Sequence, residues 1–214
     1  MFGVARAPPG LPLFHVKPDY WSMAARHGGF DLDDTQLSAL HRFGVWLDGE
    51  ATLAGGIGPG ETDRIDTRHI ADSLLFAVPW ETRPQLVWDW GSGVGLPGIP
   101  LAVAFPDTEF HLIDRSGRRV DLMRRAVRVV GVDNVVVIQE DFTRMTGNPD
   151  VVVSRAAITP NQGGDILSRR LKPGVMAGFG GSWTAEPQVP GWETLLIPPK
   201  VLDHAVWLLI MRRQ

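Results

Sequence analysis

The chain has 214 residues, 44% hydrophobic and 21% charged, with a net charge of −3. That length supports one substantial folded unit with an N-terminal extension. No apolar run reaches the roughly 18 residues that would cross a bilayer, and the lack of cysteine excludes disulfides, thiolate metal sites and a thiol nucleophile.

Residues 1–30 are rich in proline and glycine and read as irregular or folded onto the body. Prolines at 8, 9 and 12 leave no signal-peptide core before Val16, so the protein is expected to be cytoplasmic. Asp33 or Asp34 caps a helix running to about residue 48, with Leu37, Leu40, Phe43 and Leu47 on one face. Residues 54–61 hold four glycines and a proline and read as a loop. A second helix is predicted over 66–78, burying Ile70, Leu74 and Ala77 or Val78.

From Leu86 onward strands alternate with helices. Strands are predicted at 86–90, 110–114, 134–138, 150–154 and 175–179, and helices at 97–104, 117–130 and 161–171. This alternation predicts a parallel sheet covered on both faces. Residues 193–197 and 205–211, either side of Pro198-Pro199, read as a terminal antiparallel pair.

The first strand ends in Asp89 and runs into Gly91-Ser92-Gly93-Val94-Gly95-Leu96-Pro97-Gly98. Such glycines permit a turn that side chains would block and let backbone approach a ligand. Two registers compete: G-x-G-x-x-G from Gly93, or acid-x-G-x-G-x-G from Gly91. A dinucleotide loop places its first glycine directly after the strand, which here is Gly91, and its third would then fall on Leu96. Asp89 would repel a pyrophosphate but suits the ammonium and sulfonium of S-adenosylmethionine.

The second strand ends in Asp114, a carboxylate spaced to accept hydrogen bonds from both ribose hydroxyls, or else to cap the next helix. After the third strand, Asp141 can accept from an adenine amino group and Phe142 can cover the ring; otherwise this acidic loop is merely solvated. Between Arg115 and Arg128 lie six arginines and one acid, Asp121. They form either a phosphate-binding patch or, the favoured reading, a solvated helix face with Asp121 paired to Arg125. The eight tryptophans read mainly as core, with base stacking the alternative. The scattered histidines show no zinc-binding spacing.

Four segments together resemble the GidB/RsmG family of ribosomal RNA methyltransferases. Arg68-His69-Ile70-Ala71-Asp72-Ser73-Leu74 resembles its R-H-I-x-D-S-L helix. Gly91 to Leu101 resembles its G-x-G-x-G-L-P-G-I-P-L loop. Asp114 to Val120 and Ser154-Arg155-Ala156 resemble two later motifs.

The resemblance implies a class I methyltransferase fold: an α/β, Rossmann-like, mostly parallel seven-stranded sheet with a C-terminal antiparallel hairpin. N-terminal helices over 1–84 would pack on a catalytic unit over 85–214. It implies methylation of guanine N7 in 16S ribosomal RNA with S-adenosylmethionine, by a monomer acting on ribosomal RNA or the small subunit, without metal or membrane. The cofactor residues expected are Asp89, Gly91, Gly93, Gly95, Leu96, Asp114, Asp141, Phe142, Thr143 and Arg155. The catalytic residue is left unassigned, with Arg68, His69 and Arg155 as candidates.

Two motifs depart from the family. Gly55-Gly56-Ile57 stands where an N-L-T is usual, and Ala177-Gly178-Phe179-Gly180-Gly181 where a K-G pair is usual. An N-P-P-[FY] motif, which would grip an exocyclic amine, does not follow the fourth strand. The competing readings are a methyltransferase of the same fold acting on another RNA or a small molecule, and a non-catalytic cofactor-binding or RNA-binding module. A nicotinamide-dependent oxidoreductase is a weaker fourth.

Overall fold

A computed structural model describes residues 19–181 and 183–213. The proline-rich stretch read from residues 1–18 lies outside the described residues. Part of the segment expected to be irregular is helix α1 (Tyr20–His27), started by the Asp19 side chain, which accepts from the Ser22 N–H. Helix α2 (Asp34–Trp46) starts in a reciprocal capping box. The Asp33 carboxylate accepts from the Gln36 N–H and the Gln36 carbonyl from the Asp33 N–H, both at 2.8 Å. Ala39, Leu40, Phe43 and Trp46 are buried along it, and Leu37 lies at the edge of that face.

The next helical run begins earlier than expected. Residues Pro59–Arg64 form a 3-10 turn, because proline suits the first helical position. The chain then widens into a π-helical segment, Ile65–Ala71, before a single α-turn, α3 (Asp72–Leu74), and a further 3-10 turn, Leu75–Ala77. The expected buried face holds at Ile70, Leu74 and Ala77. The winding differs from a plain helix, and the widened part carries Arg68 and His69. π-Segments of this kind are frequent at functional sites.

Seven strands form one sheet: β1 (Leu86–Trp90), β2 (Glu109–Asp114), β3 (Val135–Gln139), β4 (Val151–Arg155), β5 (Met176–Gly180), β6 (Glu193–Ile197) and β7 (Val206–Arg212). Their order is β3-β2-β1-β4-β5-β7-β6. The first five are parallel, and β7 is antiparallel to both β5 and β6. After β1 the chain builds outward through β2 and β3, then returns to β1's other side with β4. The carboxyl ends of β1 and β4 therefore flank a topological switch point, where open α/β sheets bind ligands.

Strand alternation divides the core. Trp88 and Trp90 face one side with Ile113, Val152, Leu167, Phe179 and Leu209. Asp89, between them, faces the other side, towards α4 (Gly98–Ala104), all seven residues of which are buried. That second cluster joins Val87, Ile99, Leu112 and Val120 to Phe43, Leu47, Ile70 and Leu74 of the N-terminal helices.

Helix α5 (Gly117–Val130) buries Val120, Met123 and Val130 and turns its arginines outward. Several of these are already engaged. Arg118 donates to the Ala54 carbonyl, Arg124 rather than Arg125 pairs with the Asp121 carboxylate, and Arg125 meets Glu50. Helix α6 (Pro160–Arg170), capped by Thr159, and the short α7 (Pro199–Leu202) complete the fold.

Because the N-terminal helices share a core with the sheet, Phe43→Ala is expected to cost about 3–5 kcal/mol and to lower the midpoint of a single unfolding transition. Urea denaturation followed by tryptophan fluorescence and by circular dichroism checks this. Two separate transitions would show that the helices fold on their own.

Candidate active site

The glycine loop is shaped by left-handed backbone and tied at both ends. Gly91, Gly93 and Gly95 have φ of 70°, 63° and 95°, values that side-chain-bearing residues rarely adopt. The Gly91 and Ser92 N–H groups donate to the Ile113 carbonyl of β2, at 2.8 and 3.1 Å. The Gly93 N–H donates to Asp114 Oδ2 at 3.2 Å, while Asp114 Oδ1 accepts from the Ser116 N–H at 2.9 Å. Asp114 thus ties the loop to the start of α5. Arg119 Nη1 also reaches Asp114 Oδ2, at 3.5 Å. With three of the roughly four acceptor sites of a carboxylate engaged, one is left for a ligand.

Asp89, below the loop, and Gly95, within it, are both buried and border none of the cavities above it. Asp89 is fully buried, and its Oδ2 accepts from the Gly98 N–H at 2.9 Å. Gly98 has to be glycine: a Cβ there would stand 2.1 Å from the Leu112 Cδ2 and 2.7 Å from Asp89 Oδ2. Asp89 Oδ1 is buried without a hydrogen bond. Burial pushes the Asp89 carboxyl up to about 7, against the opposing pull of the nearby Ser92 hydroxyl and the Gly98 N–H.

Three contiguous cavities open over the carboxyl ends of β1, β2 and β4. The largest, about 570 Å³, lies between Asp114, the Asp141–Thr143 turn and Ala156 to Ile158. Its floor at Gly91 is bare backbone, since a Cβ would stand 2.3 Å from the Ala157 Cβ. Phe142 forms one wall, stacked on the buried Trp90 at 5.3 Å between ring centroids. Asp141 Oδ1 accepts from the Thr143 N–H and hydroxyl, at 3.0 and 2.7 Å, and these bonds hold its carboxyl below the ordinary aspartate value. A carboxylate, an aromatic wall and a floor stripped of side chains fit a nucleoside.

The second cavity, about 290 Å³, runs from Gly91, Gly93 and Leu96 to Glu61, His69 and Arg155. The third, about 190 Å³, continues to Arg68, Asp72, Trp183, His204 and Trp207. Ala156 borders all three. It follows β4 directly and has φ of 55°, a left-handed conformation unusual for a residue other than glycine.

Arg155 organises the floor of the last two cavities. Its Nη1 donates to the Arg68 carbonyl at 2.9 Å and lies 3.6 Å from Asp72 Oδ2; its Nη2 meets His69 Nδ1 at 3.3 Å. A guanidinium only donates, so His69 Nδ1 is the acceptor and Nε2 carries the proton. That nitrogen faces Glu61 Oε2 at 3.7 Å. Burial, reinforced by Arg155 and Arg68, lowers the His69 pKa to about 4, so the ring is neutral near pH 7. Burial also lowers the Arg155 pKa and raises that of Asp72.

Of the sequence-derived candidates, Gly91, Gly93, Leu96, Asp114, Asp141, Phe142, Thr143, Arg155, Arg68 and His69 all border this crevice. Sequence reading missed Glu61, Arg119, Trp183, His204 and Trp207. Glu61 was hidden in a stretch read as loop, although it stands about two helical turns before Arg68 and His69.

The two motif departures have a packing account. A Cβ at Gly56 would stand 2.4 Å from Val94 Cγ1, so Val94 occupies space that a larger residue there would need. At the second departure Phe179 is buried, its ring 6.3 Å from that of Trp90 and 4.7 Å from that of Trp192, a setting that suits an aromatic side chain rather than a charged one.

Sheet order, switch-point crevice and nucleoside-shaped cavity define a class I methyltransferase fold. The solved structures it resembles include an S-adenosyl-L-methionine-dependent methyltransferase described from Methanococcus maripaludis. That match has a TM-score of 0.53 and 16% identity, covering 73% of this chain and 93% of the other. A point variant of MtNAS in complex with S-adenosylmethionine matches with a TM-score of 0.51 and 14% identity, covering 91% and 75%.

The chain belongs to the GidB family, rRNA small subunit methyltransferase G, whose sequence pattern it matches over residues 36–181. Among relatives named ribosomal RNA small subunit methyltransferase G, the protein of Mycolicibacterium gilvum is 39% identical over 142 residues, covering 64% of this chain and 62% of that protein. That of Frankia alni is 35% identical over 166 residues, covering 74% and 63%. The chain therefore spans just under two thirds of the length of these relatives.

Two predictions follow from the site's geometry. The folded state holds the Asp89 proton up to about pH 7, whereas the unfolded chain releases it near 3.8. Asp89 therefore makes stability fall as pH rises between about 4 and 7, by on the order of 4 kcal/mol in full. His69 acts oppositely: its contribution is complete above its ordinary value of 6.5 and is lost as pH falls through about 4. In Asp89→Asn, stability should rise with pH across this window, as urea titrations at several pH values would measure; a decline as steep as in the parent protein would refute it. At Ala156, replacement by glycine should be neutral or mildly stabilising, whereas valine should destabilise by about 1–3 kcal/mol. Thermal melts of the two variants check the order.

Proposed function

We propose that this chain is an S-adenosylmethionine-dependent methyltransferase that modifies guanine N7 in 16S ribosomal RNA. Family membership supports the activity, and the observation that carries the cofactor assignment is Asp114. It holds the glycine loop through the Gly93 N–H while bordering the largest cavity, opposite the Asp141–Thr143 turn.

In this reading a ribose hydroxyl donates to Asp114, the adenine lies along Phe142, and the loop backbone at Gly91 and Gly93 borders the rest of the cofactor with Leu96. The cofactor supplies a methyl group on a positively charged sulfur. Arg155, fixed by Asp72 and the Arg68 carbonyl, lies where the second and third cavities meet and orders the groups around the acceptor.

Guanine N7 has a free lone pair, so attack on the methyl group requires no prior loss of a proton. Catalysis then rests on alignment of nucleophile, methyl and sulfur. The crevice suits that demand, since its residues are held by hydrogen bonds and packing. His69 is neutral near pH 7 and serves to position Arg155. The N-terminal helices complete the crevice, the protein acts as a monomer in the cytoplasm, and ribosomal RNA or the small subunit is its partner.

Phe179, buried against Trp90 and Trp192 where the family's basic residue is usual, favours a second reading, an acceptor outside the small ribosomal subunit. One experiment separates the two. The protein is incubated with tritiated S-adenosylmethionine and small subunits from a strain lacking the family enzyme, and in parallel with other RNAs and free metabolites. Label recovered as 7-methylguanosine in 16S RNA is expected; label only in the other acceptors would move the assignment to the second reading. Asp114→Asn should weaken S-adenosylhomocysteine binding about tenfold or more by calorimetry. Unchanged affinity would remove Asp114 from the cofactor site.

A further inference from the structure

We infer that Glu61 selects the acceptor base by accepting hydrogen bonds from the edge of guanine that carries N1–H and the N2 amino group. The inference rests on the methyl-transfer reading above and names the residue that would give it base specificity.

Glu61 borders both the second and third cavities, which also share His69, Arg155 and Ala156. Ala156 reaches the crevice from the end of β4 and also borders the nucleoside-shaped cavity. Glu61 comes from the Pro59–Arg64 turn, a separate part of the chain. A base seated in these cavities would have one edge towards Ala156, on the side of the nucleoside-shaped cavity, and another available to Glu61.

The chemistry of the carboxylate limits which edge that is. An ionised carboxylate only accepts hydrogen bonds. Its nearest basic neighbours are the cations Arg64 and Arg68 and the neutral His69, whose nitrogens stand 3.6, 3.9 and 3.7 Å away, beyond hydrogen-bond distance. Glu61 therefore keeps acceptor capacity for a ligand.

Among the four bases, guanine alone presents two adjacent ring-edge donors, N1–H and N2–H, which match two carboxylate oxygens. Adenine and cytosine place a ring acceptor beside their amino group, and uracil flanks its single N–H with carbonyls; each sets an acceptor against the carboxylate. The guanine edge with two donors lies across the purine from N7, so holding it at Glu61 turns N7 away, towards the donor side. Trp183 supplies an aromatic wall: its ring lies over Gly181, where a Cβ would stand 2.9 Å from Cζ2. Base–aromatic stacking is tolerant of sequence, so discrimination falls to the carboxylate.

The test uses guanosine and inosine 5′-monophosphate, which differ by the N2 amino group, with the protein saturated in S-adenosylhomocysteine. Binding is followed by tryptophan fluorescence and calorimetry. The parent protein should prefer the guanine nucleotide about tenfold, and Glu61→Gln should reduce that ratio to about one, with S-adenosylhomocysteine affinity retained. Transfer to small ribosomal subunits should fall about 10- to 100-fold in kcat/KM.

A Glu61 that only braces His69 and Arg68 would lower activity in the variant but leave the nucleotide ratio unchanged, and that result overturns the inference. So does a parent protein without preference, or one that does not bind guanosine 5′-monophosphate. Nucleotide selectivity lost in Glu61→Gln without any transfer to subunits by the parent protein would uphold the role of Glu61 and overturn the ribosomal assignment instead.

Discussion

The contact between Asp89 and the Gly98 N–H is the constraint on which the rest of the site depends. It crosses the glycine loop from below and fixes where the loop leaves β1 and where α4 begins. A carboxylate buried at the amino end of a helix interacts favourably with the helix's unpaired N–H groups. Here it also sets the height of the loop above the sheet. The loop then reaches Asp114 through Gly93, and Asp114 in turn anchors α5. Two acids from neighbouring strands thus hold one loop from two sides, one by supporting it and one by facing the cavity.

A second layer of order comes from Arg155. It emerges from β4 yet bonds to the carbonyl of Arg68 and the ring of His69, which belong to the N-terminal helices. The widened helical segment Ile65–Ala71 turns these groups towards the strand. The crevice is therefore a joint product of sheet and N-terminal helices, and the shared hydrophobic cluster around Phe43, Ile70 and Ile99 keeps the two in register. A site assembled in this way needs the helices as much as the strands.

Much of this was legible in the sequence because its signals are local. Alternating apolar runs located all seven strands within a residue or two, and the Pro198-Pro199 break marked the terminal hairpin. The glycine loop and Asp114 could be placed at the strand ends because strand ends and turn residues lie next to one another in the chain. Asp89 shows the limit of such reasoning. Its chemistry suggested a ligand contact, but side-chain alternation between Trp88 and Trp90 turns it towards α4. Glu61, Trp183 and Trp207 were illegible for another reason: they reach the crevice from three distant segments, and nothing in local spacing links them. The π-winding around His69 was equally hidden, since the same apolar residues are buried whether the turn is tight or wide.

Val94 makes the Gly56 departure a matter of two positions rather than one. A side chain added at Gly56 would stand against Val94 Cγ1 at 2.4 Å, and shortening Val94 alone would leave a void. Each single exchange is therefore disfavoured, while the paired exchange keeps the packing whole. The segment around Gly56 and the glycine loop that carries Val94 thus behave as one unit of variation: a change in either is read by the other before it reaches the crevice.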